Sequence, residues 1–477
     1  MRATGTSRAG VLAAVAAAGA LAGCGSPPPP PSGVTSQTAP FDVTATIDVG
    51  TQHQVMQGFG GAIAFYVNWV SKHPNRDQIY QAAFADLGIQ MLRIGNWYQN
   101  ANDTGASGMA DTVAVVQGAA AALGGTPPLI EMSSWSPPAT LKSNKHVQGG
   151  GTIAPAVAGG DRYADFAQWW VTSLAQHAAA GVVPDYVSLQ NEPDFIASGW
   201  QSCLFDPKED ATNAGYDKAL DALSSALAAS GQTPLPKLLG PETSGIGGTK
   251  IGNYVAALAA GQGINEIVGI AHHLYNGAVG SSFNAAMGAV AAMAASNDKP
   301  LFMTEYGPSA PDMFDTAALI NTAVTVEGVS AYLYWPLTWA PPAAGAVPTG
   351  LITTENPGSP GSWTTANGYT INDLYYAVRH FAKWIQPGWV RVDAASSAGI
   401  VTLSAFASPD GQSLTIVLLN TDGGAAHAIT VDTGTFTFGT SAVYRTSGTD
   451  ERTAIIGGLD GAIMMPPRSL VTVTLGP

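Results

Sequence analysis

Two glutamates close apolar runs in a chain that carries little charge. Val187-Ser188-Leu189-Gln190 leads into Asn191-Glu192-Pro193-Asp194, and Leu301-Phe302-Met303-Thr304 leads into Glu305-Tyr306-Gly307. Charged residues are 11% of the sequence, against about 25% in an average soluble protein. Paired carboxylates suit cleavage of a glycosidic bond. One must hold a proton to release the leaving-group oxygen, and the other must be ionised to attack the anomeric carbon or activate water. For either glutamate alone, a solvated loop residue or an ion-pair partner is an adequate reading. The two in matching contexts favour chemistry.

The elements that must position them follow a repeating pattern. Short apolar or β-branched runs occur at 55–62, 91–94, 129–133, 186–190, 237–240, 267–274, 300–304 and 329–335. Helical stretches lie between them at 77–87, 161–180, 217–229, 282–295, 316–327 and 372–385, with Gly and Pro as punctuation. Eight strand–helix units predict an α/β fold, the (β/α)8 TIM barrel. The rival, an open doubly wound sheet, needs a glycine fingerprint, and Gly58-Phe59-Gly60-Gly61 lacks its spacing. In a TIM barrel the chemistry sits where strands end at the C-terminal face. That places Glu192 after the fourth strand and Glu305 after the seventh. Trp97, Tyr98, Trp135, Tyr275, Trp335 and Trp339 fall at or just after strand ends, whereas Trp169 and Trp170 fall mid-helix and read as packing. Aromatic rings stack on apolar sugar faces while a few fixed polar groups hold the hydroxyls, so six aromatics on one face predict a cleft.

Past residue 387 the texture changes to short strand-like runs separated by polar and Gly turns, as in an antiparallel β-sandwich. Residues 41–49 share it and would join that sandwich, so that both ends of the barrel segment meet there. The expected organisation is a signal peptide at 1–23, a linker at 24–40, one or two sandwich strands at 41–54, a catalytic barrel at 55–386 and a C-terminal sandwich at 387–477.

The N-terminus reads as a processing signal. Arg2 and Arg8 precede a short apolar stretch, then Leu21-Ala22-Gly23-Cys24. Its end resembles the bacterial lipobox, which implies cleavage before Cys24 and lipidation of its sulfur. The five prolines at 27–31 favour an extended, semi-rigid spacer. Membrane attachment is expected through Cys24 only, giving an exported lipoprotein facing the periplasm or the cell surface. The formal net charge of −14 argues against nucleic-acid binding, which needs clustered Lys and Arg. A monomer is expected.

The ordered motifs carry a resemblance. They are Gln57-Gly58-Phe59-Gly60-Gly61, Leu92-Arg93-Ile94, Ser134-Trp135-Ser136-Pro137-Pro138, Leu189-Gln190-Asn191-Glu192-Pro193-Asp194, His273-Leu274-Tyr275, Met303-Thr304-Glu305, Tyr334-Trp335 and Gly388-Trp389-Val390-Arg391-Val392-Asp393-Ala394. Together, from about residue 42 onward, they resemble glycoside hydrolase family 30 of the retaining clan A enzymes. Asn-Glu-Pro alone marks only the clan. The resemblance implies Glu192 as acid/base and Glu305 as nucleophile. It also implies substrate-binding positions at Arg93, Trp97, Trp135, Asn191, His273, Tyr275 and Trp335. An acid beside an ionised neighbour keeps its proton more tightly. Asn191 can hydrogen-bond a sugar 2-hydroxyl, an interaction that strengthens in the transition state. His273 and Tyr275 can orient Glu305 or the sugar. Arg93 can stabilise the nucleophile's charge or simply tie barrel strands together.

The substrate is less legible. The texture around Asn191–Asp194 and 388–394 is similar to the bacterial xylanase branch, many of whose members read a glucuronate side group with Arg and Tyr after the eighth strand. Here that loop is Pro336-Leu337-Thr338-Trp339-Ala340-Pro341-Pro342, with no Arg or Lys before residue 350, and a carboxylate is best gripped by a bidentate Arg. The expectation is a polysaccharide substrate and an endo-β-1,4-xylanase with weak or altered glucuronate dependence. The alternatives are an endo-β-1,6-glucanase or β-1,6-galactanase, then a glucosylceramidase-like enzyme, then a noncatalytic glycan-binding lipoprotein. Retaining hydrolysis needs no cofactor. No metal is expected either: His272-His273 has no second spaced His pair or Cys cluster. Cys203 has no nearby His, and no G-x-S-x-G elbow occurs.

Overall fold

The computed structural model describes residues 42–100, 108–155, 161–247, 250–275, 280–448 and 453–477. The expected signal peptide, Cys24 and the Pro-rich linker lie outside the described residues. Phe41–Pro477 is one compact unit.

Eight parallel strands close into a barrel: Gly58–Ile63, Met91–Gly95, Leu129–Ser133, Tyr186–Ser188, Lys237–Thr243, Ile267–His273, Leu301–Tyr306 and Val329–Tyr334. The last pairs with the first, Gly58 opposite Ala331 and Gly61 opposite Tyr334. The strands are buried almost throughout, because helices cover the outer face and side chains fill the interior. Met91, Tyr186, Leu239, Ala271, Phe302, Ala331 and Leu333 form an apolar interior layer. Two residues further along the strands, the inward positions become charged: Arg93, Glu131 and His273. The two-residue period would send Pro241 and Thr304 into this layer as well. Register shifts between Pro241 and Thr243 and between Met303 and Tyr306 deliver Glu242 and Glu305 instead.

The helices follow the expected order, with two local departures. The stretch expected as one helix over 77–87 is an α-turn, Arg76–Tyr80, continued by π-helix Gln81–Asp86. The widened turn closes with Leu87 N donating to Ala82 O. The Ala82, Ala85 and Asp86 carbonyls accept hydrogen bonds from Tyr375, Lys383 and Arg379 of the last helical segment. The second departure is Met313–Thr322 followed by π-helix Ala323–Glu327. Helices Met109–Ala122 and Lys250–Ala260 complete further units. Gly118 of the former lies against the Tyr80 ring, where a Cβ would come within 2.1 Å of a ring carbon.

The side domain is a continuous nine-stranded ladder. Its order is Ala454–Gly457, Thr440–Thr446, Leu470–Gly476, Leu414–Asn420, Val401–Ala407, Val390–Ser396, Asp42–Val55, His427–Asp432 and Ile463–Met465. The antiparallel expectation holds except where Asp42–Val55 pairs parallel with His427–Asp432. Period-two alternation divides the ladder between two cores. Leu414, Ile416 and Leu418 enter the side domain's own core, while Val417 and Leu419 join the barrel's. At this seam His380 is buried between Thr472 and Thr446, at 2.7 and 2.9 Å from their hydroxyls. Burial, with Arg379 adding, pulls its pKa down to about 3.

Candidate active site

The two glutamates converge. A carboxylate oxygen of Glu192, one of Glu305 and a ring nitrogen of His273 lie within 4.8 Å of one another. Carboxyl groups stand about 5–5.5 Å apart in retaining glycosidases and about 6.5–9.5 Å apart in inverting ones. The two glutamates face each other at short range, as a carboxyl pair acting on one glycosidic bond must. Glu305 accepts from the Tyr275 hydroxyl at 2.6 Å on one oxygen and from Arg93 Nη1 at 2.5 Å on the other. Glu192 is nine-tenths buried and has a left-handed φ of 46°. His273 Nδ1 lies 3.0 Å from its Oε1.

The electrostatics separate the two groups of neighbours. Burial raises the Glu192 carboxyl; the His273 hydrogen bond opposes this, and the balance stays above the ordinary carboxyl value. For His273, burial disfavours the imidazolium, but the surrounding Glu305, Glu192 and Glu242 outweigh it and push the pKa up to about 10. Glu192, His273 and Glu305 thus offer oxygen and nitrogen atoms at metal-ligand spacing, and a metal there would have to displace the proton from His273.

Arg93 organises the charged layer. Its Nη2 donates to Asn191 Oδ1 at 2.7 Å. A guanidinium only donates, so the facing amide atom must be oxygen, and Asn191 Nδ2 remains as the donor it can offer a ligand. The same guanidinium reaches Glu242 and Glu305, so it serves both roles considered for it, tying strands and touching the site. It also lies over the Trp135 ring, 4.5 Å from the centroid. Glu131 Oε2 is 2.9 Å from Arg93 Nε, but burial and the neighbouring Glu242 charge raise its carboxyl well above the ordinary range.

The aromatics divide into a wall and a rim. Trp97, Trp135, Trp335 and Trp339 gather edge-on around Phe65, with centroids 5.5–6.2 Å from its ring. Trp97 and Trp135 are each 2% exposed. The open stacking faces expected of them are therefore covered, and both support the site from within. Trp335 is half-buried and Tyr275 exposed, so these two reach the surface. Trp169 and Trp170 are buried packing residues, as their mid-helix positions indicate. Beyond Glu192 the loop carries Phe195, Ile196 and Trp200, all exposed, with the Phe195 and Trp200 rings stacked at 6.2 Å.

Glu131, Glu242, Ser133 and Phe65 escaped the sequence reading. A signal existed for the glutamates: Leu129-Ile130-Glu131-Met132 and Leu239-Gly240-Pro241-Glu242 also place an isolated carboxylate in a barrel strand.

The fold defines a class: a (β/α)8 barrel with a β side domain joined by both flanks of the barrel segment. No family model matches the sequence. Among solved structures, the chain is similar to the catalytic domain of glycoside hydrolase family 30 xylanase C from Talaromyces cellulolyticus, with TM-score 0.70 and 20% identity over 91% of this chain and 100% of that one. It is similar to a family 30 subfamily 8 xylanase from Clostridium acetobutylicum, with TM-score 0.68 and 22% identity over 91% and 100%. An endo-β-1,6-glucanase aligns with TM-score 0.67 and 18% identity over 91% and 94%. At these identities the likeness is one of fold.

Proposed function

We propose that this chain is a retaining glycoside hydrolase of family 30 that cleaves β-linked polysaccharide by double displacement. The observation that carries the reading is the close approach of Glu192 and Glu305 at the C-terminal mouth of the barrel. Glu305, held by Tyr275 and Arg93, attacks the anomeric carbon while Glu192 protonates the departing oxygen. Glu192 then takes a proton from the water that releases the glycosyl-enzyme. Two cationic side chains, Arg93 and His273, stand among the carboxyl groups of Glu192, Glu242 and Glu305, so the buried charges face partners of opposite sign.

Within that class we propose xylan as the substrate, with little dependence on glucuronate. The support is the absence of Arg and Lys from the loop 336–342, and the occurrence of xylanases among the similar structures. Mass spectrometry of products from glucuronoxylan, arabinoxylan, β-1,6-glucan and β-1,6-galactan tests it. Xylo-oligosaccharides cut irrespective of glucuronate position support the reading. Cleavage only beside glucuronate, or of the β-1,6-linked glycans alone, overturns it.

The Phe195–Trp200 shelf follows the acid/base by a few residues, which suits it to the leaving-group side. An aromatic contact contributes about 0.5–1.5 kcal/mol. Trp200→Ala is therefore expected to raise KM for long oligosaccharides about 2- to 13-fold with kcat unchanged. An unchanged KM across chain lengths removes the shelf from the binding path. We also propose that the protein is an exported monomer tethered through lipidated Cys24. Metabolic palmitate labelling that persists in Cys24→Ser would refute the tether.

A further inference from the structure

Glu242 has no part in the roles assigned above, yet it sits at the centre of the charged layer. It is fully buried near the end of the fifth barrel strand. Its Oε1 accepts from Arg93 Nε at 3.1 Å and Nη2 at 2.8 Å, and lies 3.7 Å from His273 Nε2. Its Oε2 accepts from the Ser133 hydroxyl at 2.6 Å. Arg93 contacts Glu305, and His273 contacts Glu192. The side chains thus run Glu305, Arg93, Glu242, His273, Glu192, the Glu242–His273 step being an ion-pair approach at 3.7 Å and the others hydrogen-bonded. The backbone adds a second link: Glu192 N donates to Glu242 O at 3.1 Å. Both residues have left-handed φ, 46° and 62°, a region that non-glycine residues keep only where the surroundings impose it, as they do at functional sites.

We propose that Glu242 is a positioning residue that couples the two reacting carboxylates, holding Arg93 against Glu305 and the His273 ring against Glu192 through one shared oxygen. This rests on the hydrolase reading above. The carboxylate is suited to the task because it faces two cations and its second oxygen is pinned by Ser133, which fixes the direction of the first. Burial disfavours its ionised form, but Arg93, His273 and Ser133 reverse this and bring its pKa down to about 2. The competing role is an inert ion-pair plug that stabilises the barrel and nothing else. Glu131 supplies the contrast. It occupies the same layer and approaches Arg93, but no hydrogen bond or ion pair joins it to His273 among the described residues, so Glu131→Gln perturbs the layer without breaking the link to the His273 ring.

The test uses the whole protein with nitrogen-15 labelled histidine, His273 being assigned by its disappearance in His273→Gln. In the wild type the His273 ring is expected to stay doubly protonated until about pH 10. Glu242→Gln is expected to lower that titration by about one unit or more, and Glu131→Gln, which makes no contact with the ring, to lower it by less. On the glycan that the wild type cleaves, Glu242→Gln is expected to lower kcat about 100-fold, the scale of a small misplacement of reacting groups, with KM little changed. A plug would lower the melting temperature and the His273 titration but leave kcat unmoved, and an unmoved kcat overturns the proposal. If Glu242→Gln does not fold, Ser133→Ala frees Oε2 while keeping the charge. It is expected to lower kcat with KM unchanged, and an unaltered kcat then overturns the proposal. A wild type that folds and cleaves none of the glycans defeats the hydrolase reading, whereas the histidine titration still reports whether Glu242 governs His273.

Discussion

Glu305→Gln is expected to remove hydrolysis by on the order of 10⁴-fold or more while leaving the fold intact. An amide has nearly the shape of the carboxylate and still accepts from the Tyr275 hydroxyl, but it does not attack carbon to form a glycosyl ester. The fold survives because Arg93 keeps Glu242 as a counter-charge in the same layer. The measurement pairs product release with intact-protein mass spectrometry after reaction with an activated 2-fluoro glycoside of the cleaved oligosaccharide. The wild type should gain the mass of one glycosyl group, on Glu305, and the variant should gain none. A variant that retains a tenth of the activity would mean that Glu305 is not the nucleophile.

Glu192→Gln is expected to behave differently with different leaving groups. Proton delivery by a placed side chain contributes about 10²- to 10⁴-fold, so activity on the natural glycan should fall by that factor. An aryl glycoside of the same oligosaccharide leaves without help, and its first step should be nearly unaffected. The pH profile carries the same information. The Glu192 carboxyl is raised in the folded protein, with burial exceeding the opposing His273. It therefore stays protonated above the ordinary carboxyl range, and the alkaline limb of kcat/KM should mark its loss of the proton. Glu192→Gln should abolish that limb. Equal losses on both substrates, with the limb retained, would assign the acid to another group.

The parts of this site legible in the sequence are those set by simple periodicity. Arg93 and His273 lie two positions beyond Met91 and Ala271 of the interior layer, so a strand assignment suffices to aim them inward. Glu242 and Glu305 lie beyond irregularities in pairing, where counting by two gives Pro241 and Thr304 instead. Glu305 was recoverable only because its motif and its strand-end position were conspicuous, and Glu242 had no such help. The aromatic residues show the opposite limit. Their placement at strand ends was readable, but whether a ring faces solvent depends on neighbours distant in the chain. Phe65 covers Trp97 and Trp135 from the first strand–helix connection. The π-helical turn at Gln81–Asp86 likewise depends on carbonyl partners near residue 380.

The strand Asp42–Val55 bears on the order of assembly. Thr44 N reaches Ser397 Oγ across 353 residues of chain, and the neighbouring strand on its other side, His427–Asp432, is later still. During vectorial synthesis, or threading through a translocation pore from the N-terminus, this β-prone segment is delivered first and finds its partners last. Until then both of its edges are unsatisfied, a template for pairing with the wrong chain. Closure of the side sheet is therefore a late, high-contact-order event, because all eight barrel strands emerge before either partner of Asp42–Val55.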